Sequence, residues 1–172
     1  RSLGATPSQI VVVELEDKGL LTNSPVGHVV EILGTIDEPG METEIAVRKF
    51  DLPYKFSEET KKEIKRFSDS VTKSDLRDRV DLRDIPFVTI DGADAKDFDD
   101  AVYCLPLEDG KFRLLVAIAD VSHYVKPGCA IDKDAQLRTT SVYFPRRVIP
   151  MLPEELSNGL CSLNPQVDRC TM

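Results

Sequence analysis

Five aspartates lie within ten residues of one another, and apolar residues flank the group on both sides. The five are Asp91, Asp94, Asp97, Asp99 and Asp100. The run Phe87 to Ile90 precedes them and the run Ala101 to Cys104 follows them. A solvated acidic tail has no reason to lie between segments that favour burial. Because crowded carboxylates repel one another unless a cation neutralises them, the pattern predicts a site for a hard divalent metal ion.

The spacing of these carboxylates favours a metal site that acts on phosphate groups. In an extended chain Asp97 and Asp99 share one face and Asp100 lies on the other, and a bend at Gly92 would bring Asp91 toward them. Mg²⁺, with Mn²⁺ as its substitute, keeps waters that substrate phosphate oxygens replace. Metal-assisted hydrolysis of a phosphodiester is therefore the predicted chemistry.

Residue chemistry alone leaves two other interpretations open, namely a structural metal and plain surface acidity. An EF-hand calcium loop is excluded, because the stretch lacks the required pattern of Asp-x-Asp-x-Asp-Gly followed by a glutamate at the twelfth position, and Asp94 breaks its spacing. A zinc site is not expected, since His28 and His123 are the only histidines and neither has ligand spacing to a cysteine.

The composition is that of a soluble globular protein with one domain or two small ones. The chain has 172 residues, of which 41% are hydrophobic and 30% charged. No apolar run approaches the roughly 20 residues of a membrane span, and no secretory signal opens the sequence. The separated cysteines indicate reduced thiols, so we expect a cytoplasmic protein that binds no membrane. The net charge of −8 argues against nucleic-acid binding, although a carboxylate site lowers that total by itself.

The residues before the acidic stretch predict a β-rich region and then a helix. Strands are predicted at 10–15, 27–33 and 44–50, with a turn at 17–19, which is the spacing of a small β-barrel. Ser57 predicts a helix N-cap, followed by an apolar stripe of Ile64, Phe67 and Val71. The region 73–83 is dense in charge and predicts a connector.

The residues after the acidic stretch predict a hairpin, a helix and an irregular tail. Strands at 100–107 and 111–118 are joined by Asp109-Gly110, which is a strong hairpin signal. A short helix is predicted at 131–138. The proline-rich region from Tyr143 onward is expected to be mostly irregular, with one helical turn after Pro153.

From residue 79 onward the sequence resembles the catalytic domain of the ribonuclease II/ribonuclease R family. Its motifs are closer to those of ribonuclease R than to those of ribonuclease II. The resemblance is carried by long ordered motifs rather than by one short pattern. They are RVDLRDIP at 79–86, TID at 89–91, DFDDA at 97–101, VAIADVSHYV at 116–125, TSVYFP at 140–145, IPMLP at 149–153 and LSNGLCSL at 156–163.

The resemblance implies a hydrolytic 3′→5′ exoribonuclease that releases nucleoside 5′-monophosphates with Mg²⁺ or Mn²⁺. Its partner would be the single-stranded 3′ end of RNA, with no DNA expected. Asp91, Asp97, Asp99 and Asp100 match the family's four active-site aspartates. Among them Asp91 and Asp100 match direct metal ligands, and Asp99 matches the residue most needed for the chemical step. Asp94 matches none and is interpreted as a surface loop residue.

The resemblance also implies how the chain is organised. Residues 1–52 resemble the end of a cold-shock domain, 53–78 form a helical connector, and 79–172 are the first part of the catalytic domain. The expected fold class is α+β: a partial OB-type barrel, the connector, and a strand-rich catalytic part. We expect the chain to be a fragment of a longer protein that supplies an arginine, a second aromatic residue and much of the RNA channel. The isolated fragment is therefore expected to be inactive.

Several other residues allow both a functional and a structural interpretation. Tyr143 matches the family's aromatic residue that stacks on the 3′-terminal nucleotide, and Arg146 and Arg147 beside it predict an RNA contact. His123 is interpreted as structural. Asp120 either faces the acidic site or caps the turn after it. Rival functions are a non-catalytic RNA-binding module and a structural metal-binding or interaction domain.

Overall fold

Two units that differ in secondary structure make up the chain. The computed structural model describes residues 2–16, 26–93 and 95–172. The first unit comprises residues 1–54 together with 143–148, and the second comprises 55–142 together with 149–172. The predicted turn at 17–19 and the predicted surface position of Asp94 lie outside the described residues.

The first unit is built on an antiparallel pair of strands. Strand β1 (Gln9–Leu15) pairs with β2 (Gly27–Thr35), with Gln9 opposite Thr35 and Leu15 opposite Gly27. Both strands were expected from their β-branched residues, and both predictions are confirmed. The first strand is only half-buried, however, and Leu15 is exposed. This pair is the barrel portion that the described residues contain.

The third strand predicted for this unit is wrong, because the segment is helix α1 (Met41–Lys49). The charges explain the helix. Glu42 and Glu44 lie in the first turn and Arg48 and Lys49 in the last, which complements the helix dipole. Glu44 and Arg48 also form an ion pair at the i, i+4 spacing of a helix. Short apolar runs do not distinguish a strand from a helix without these charges.

The second unit begins with helix α2 (Glu58–Ile64), which starts as predicted. The Ser57 side chain accepts a hydrogen bond from the Thr60 amide at 3.2 Å, so Ser57 is the N-cap. The helix ends earlier than the predicted stripe, at Ile64. Phe67 still reaches the core through the following turn, where its ring packs edge-on against Tyr124 at 5.8 Å.

Strands β3 (Asp100–Pro106) and β4 (Phe112–Ile118) form the predicted hairpin. Gly110 has a φ of 77°, which lets the chain reverse where most residues would be strained. The apolar run at 87–90, which was expected to be buried, forms no strand in the part of the chain that the structure describes. Only a single bridge joins Val88 to Val102, and Ile90 is 85% exposed. The apolar run that follows the acidic stretch is thus buried at Ala101, whereas the run that precedes the stretch is not buried.

Three further helices belong to this unit, namely α3 (Val121–Tyr124), α4 (Ala130–Arg138) and an irregular helix (Glu155–Leu160). Strands β5 (Val142–Phe144) and β6 (Arg147–Ile149) form a hairpin whose residues 143–148 belong to the first unit. Helix α4 and the helix after Pro153 were predicted. The β5–β6 hairpin was not, because the sequence predicts an irregular tail there. The core contains Ile64, Ala119, Tyr124, Ile131, Leu156, Leu160 and Cys161. Cys170 is also buried, and all four cysteines are free thiols.

No helix among the described residues combines the length and the apolar character that crossing a bilayer requires.

Candidate active site

The predicted catalytic aspartates lie in one segment that leads into β3. Asp91 precedes a turn that is closed by a hydrogen bond from the Ala95 amide to the Gly92 carbonyl at 3.0 Å, so the predicted bend is present. Asp97 and Asp99 follow in irregular backbone, and Asp100 is the first residue of β3. The four side chains belong to exposed residues.

A buried serine holds the backbone of this acidic segment. Ser162 is 0% exposed, and its hydroxyl donates to the Lys96 carbonyl at 2.9 Å while accepting from the Phe98 amide at 3.0 Å. The Leu163 amide donates to the Phe98 carbonyl at 2.7 Å. These bonds fix the backbone on both sides of Asp97. Ser162 was not among the residues predicted from the sequence, although a serine within the apolar run 160–163 is a signal for a buried polar contact.

The backbone around Asp99 is held from the other side by Ala119, the residue that follows strand β4. The Ala119 amide donates to the Asp99 carbonyl at 2.8 Å, and Asp100 lies opposite Ile118 in the β3–β4 pair. Ala101 and Ala117, which lie opposite each other in the same pair of strands, are both buried. The rigid hairpin therefore sets the direction of the backbone at Asp99 and Asp100, while both carboxylates remain exposed.

The arrangement of acidic side chains bears on the predicted metal. In the part of the chain that the structure describes, no three Asp, Glu, His or Cys side chains are placed to hold one ion together. The donor chemistry fits Mg²⁺, because carboxylate oxygens are its protein ligands. Mg²⁺ is commonly held by one or two carboxylates, with water and phosphate oxygens completing the shell, so a closed protein cage is not required.

Asp120 caps a helix and forms an ion pair, which decides between its two predicted roles. Its Oδ1 accepts from the His123 amide at 3.1 Å, and its Oδ2 accepts from Arg79 Nη2 at 2.7 Å. Burial acts to raise the pKa of Asp120, but hydrogen bonds from Arg79 and Ser122 outweigh burial and lower it. Arg79 also donates to the Thr171 carbonyl at 3.1 Å. Asp120 is therefore a structural residue, and Arg79 is a brace that the sequence analysis did not identify.

His123 also has a structural environment, as predicted. Its Nε2 lies 2.9 Å from Asp75 Oδ1, and its ring packs edge-on against Tyr124. The hydrogen bond from His123, together with those from Thr72, lowers the pKa of Asp75 to about 2. Asp75 thus ties the charged connector to helix α3.

The predicted RNA-contacting residues lie on the β5–β6 hairpin, which belongs to the first unit. Tyr143 is 67% exposed and Arg146 is also exposed. Arg147 is half-buried and forms an ion pair with Glu44 of helix α1. The hairpin therefore presents an aromatic ring and a cation to solvent, and its second arginine is bound to another residue.

Two asparagines near the buried serine contact each other rather than the acidic segment. The Asn164 side chain donates to the Asn158 carbonyl at 3.1 Å, and the Asn158 side chain accepts from the Ser157 hydroxyl. Both asparagines therefore have the local contacts of turn-forming residues.

Two family models match the chain, and each covers a different part of it. A model described as RNB domain matches residues 79–172, which include all four predicted aspartates. A model described as Cold shock domain matches residues 1–57.

Similar curated proteins carry the name ribonuclease R. The chain is 60% identical to the ribonuclease R of Acidithiobacillus ferrooxidans, over 98% of this chain and 39% of that protein. It is 51% identical to the ribonuclease R of Escherichia coli, over 99% of this chain and 21% of that protein. The chain therefore spans between about a fifth and two-fifths of the length of these relatives.

Solved structures agree with the sequence comparison. RNase R of Mycoplasma genitalium in complex with double-stranded RNA superposes with a TM-score of 0.89 at 33% identity, over 98% of this chain and 30% of that chain. Yeast Ssd1, described as a pseudonuclease, superposes at 0.68 with 18% identity over 95% of this chain and 21% of that chain, which shows a shared fold alone. The chain belongs to the RNB-domain family, and within that family its relatives are ribonucleases R.

Proposed function

We propose that the chain acts, within a protein of its relatives' length, as part of a 3′→5′ exoribonuclease that releases nucleoside 5′-monophosphates. The observation that carries the proposal is the RNB-domain match over 79–172, which contains the four exposed aspartates. A buried hydrogen-bond network supports it, because Ser162 holds the backbone on both sides of Asp97. An ordered backbone that presents exposed carboxylates is suited to a ligand that approaches from solvent.

The four aspartates would have different roles. Asp91 and Asp100 would hold Mg²⁺ or Mn²⁺, with Asp97 supporting the same site. Asp99 would be the residue most needed for hydrolysis. The ion, when bound, supplies charge that lowers the pKa of water and stabilises a negatively charged phosphate. The contribution of this chain is the placement of Asp99 and Asp100, which the Ala119 amide and β4 fix through the backbone.

RNA is the proposed partner, through its single-stranded 3′ end. Two of the similar structures are complexes of Mycoplasma genitalium RNase R, one with double-stranded RNA and one with ribose-methylated single-stranded RNA. The exposed ring of Tyr143 offers a stacking surface for a base, and the exposed Arg146 offers a cation for a phosphate. Arg147 belongs to the same hairpin surface. A cytoplasmic location follows from the proposed substrate.

One rival function has an observation in its favour. The described residues contain no group of three metal-binding side chains, and a fold like this one occurs in a pseudonuclease. A non-catalytic RNA-binding module is therefore the second candidate. It binds RNA equally with or without a divalent ion and releases no mononucleotides.

The test uses a chain of the relatives' full length that carries this sequence. Single-stranded RNA, labelled at its 5′ end in one sample and along its whole length in another, is incubated with Mg²⁺ or with EDTA, and the products are separated by length. The proposal expects stepwise shortening from the 3′ end and mononucleotides, both only with Mg²⁺. RNA that stays intact while bound in both conditions supports the binding module instead. The isolated 172-residue chain, tested in parallel, is expected to show little or no hydrolysis.

A further inference from the structure

Two arginines share the carboxylate of Glu44, a residue of helix α1. Its Oε2 accepts a hydrogen bond from Arg48 Nη1, on the same helix, and its Oε1 accepts one from Arg147 Nη1, on strand β6. Arg48 is itself held by Glu31 of strand β2, through hydrogen bonds of 3.1 and 2.7 Å. The four charges alternate in sign from β2 to the hairpin, so each arginine lies beside a carboxylate.

The surroundings of these four charged side chains strengthen the ion pairs between them. The side chains of Arg48, Glu44 and Arg147 are 15%, 34% and 36% exposed. The guanidinium carbons of Arg48 and Arg147 lie 4.3 and 5.9 Å from the centre of the Tyr54 ring. The hydrogen bond to Glu31 is the largest cause that raises the pKa of Arg48. Partly buried pairs of this kind are screened by salt less than fully exposed ones.

The hairpin that receives this contact is the one that carries Tyr143 and Arg146. The RNB-domain match includes the hairpin, yet residues 143–148 pack with the unit that contains the cold-shock match. The ion pair between Glu44 and Arg147 is a side-chain link between these two parts of the sequence. The orientation of the hairpin thus depends on a residue that lies outside the RNB-domain match.

We infer that Glu44 and Arg147 are a positioning pair that holds the Tyr143 hairpin against helix α1. Arg147 acts through Glu44 and not on an RNA phosphate, and Arg146 is the arginine of the hairpin that is available to RNA. The inference rests on the proposed function for its RNA-binding part. Its structural part, the immobilisation of the hairpin, can be measured without RNA.

The two possible roles of Arg147 predict effects of opposite sign when Glu44 loses its charge. If Arg147 binds RNA directly, Glu44→Gln releases its guanidinium and removes a negative charge, so RNA binds more tightly. If Arg147 positions the hairpin, the same change loosens Tyr143 and RNA binds more weakly. Glu42→Gln is the matched control, because Glu42 is an exposed residue two positions away on the same helix and the substitution removes the same charge.

The reporter is a tryptophan at position 143. The chain contains no tryptophan, so Tyr143→Trp places a single fluorophore on the hairpin and keeps an aromatic ring there. The anisotropy of this fluorophore is measured for the 172-residue chain without RNA, in the Glu44→Gln, Arg147→Met and Glu42→Gln backgrounds. Binding of a single-stranded RNA oligonucleotide is then titrated in each, with circular dichroism confirming that every variant folds.

The inference expects lower anisotropy in Glu44→Gln and in Arg147→Met, and an unchanged value in Glu42→Gln. RNA affinity should fall about fivefold in each of the first two relative to the control, and no further in the double variant, since both remove one contact. Tighter RNA binding by Glu44→Gln than by Glu42→Gln, or equal anisotropy in all variants, would overturn it. If the parent chain binds no RNA, the proposed RNA contact fails, and the anisotropy alone decides whether the pair positions the hairpin.

Discussion

The hydroxyl of Ser162 accepts a hydrogen bond from the backbone amide of Phe98 at 3.0 Å, and thereby connects a fully buried residue to the exposed aspartates. The same hydroxyl donates to the Lys96 carbonyl. Ser162→Ala leaves both backbone groups without this partner, in a place where water does not reach the serine. We expect a loss of about 1–3 kcal/mol in the free energy of unfolding, measured with urea.

Ser157→Ala is the control for this prediction, because Ser157 is half-buried in the neighbouring helix and its hydroxyl donates only to the side chain of Asn158. It should cost less than about 0.5 kcal/mol. Equal losses in the two variants would mean that the Ser162 hydroxyl does not hold the acidic segment.

The contact between Asp75 and His123 predicts a dependence of stability on pH. Asp75 has a pKa of about 2 in the folded chain, below the roughly 3.9 of an unfolded aspartate. A lowered carboxyl pKa contributes stability that is complete above the unfolded value and is lost as the pH falls through the folded value. The contribution should therefore decline between about pH 4 and pH 2.

Asp75→Asn should lower the urea midpoint at pH 5 and flatten its decline toward pH 2. Asp81→Asn is the matched control, since Asp81 pairs with Arg83 at a position open to water, where the pair contributes little. If the two variants show the same acid limb as the unmodified chain, Asp75 does not contribute in this way.

The packing of the second unit's core can be tested by replacing leucine with alanine at one buried and one exposed position. Leu156 is 0% exposed and lies in the core cluster, whereas Leu114 on strand β4 is 61% exposed. Leu156→Ala should cost about 2–5 kcal/mol of unfolding free energy, because it removes contacts and leaves a cavity. Leu114→Ala should cost less than about 1 kcal/mol. Comparable losses at the two positions would contradict the packing described for this unit.

Much of the fold was predictable because its signals are local. The Asp109-Gly110 turn, the Ser57 cap and the β-branched run of β1 each act within a few residues, and the structure contains all three elements. Helix α1 was predicted as a strand, because residues 44–50 come close to the alternating pattern of a strand. The β5–β6 hairpin was missed because proline-rich sequence hides short strands.

The sequence was enough to propose the four aspartates as site residues, but it did not indicate the groups that hold their backbone. Ser162 lies 64 residues after Phe98, and Arg79 lies 41 residues before Asp120, so each contact depends on the tertiary fold. The environment of Arg147 was hidden for the same reason, since Glu44 lies 103 residues before it. Residue types therefore predicted a chemistry for the acidic segment, whereas the residues that hold the segment in place were located only by the structure.

Binding of the metal can be measured apart from catalysis. The 172-residue chain is titrated with Mn²⁺, and free Mn²⁺ is followed by electron paramagnetic resonance. Asp100→Asn should weaken binding by about tenfold or more, because even changes around a metal ligand commonly cost that much. Asp69→Asn, an exposed aspartate after helix α2, should leave binding unchanged. The same affinity in both variants would remove Asp100 from the proposed metal site.

The central claim is that this acidic segment catalyses RNA hydrolysis, and Asp99→Asn in a chain of the relatives' full length tests it most directly. The substitution keeps the shape of the side chain and removes its charge. With Mg²⁺ and single-stranded RNA labelled along its whole length, we predict that the variant binds RNA as tightly as the unmodified protein while release of mononucleotides falls about a hundredfold or more. Mononucleotide release at the unmodified rate, with RNA binding retained, would contradict the account.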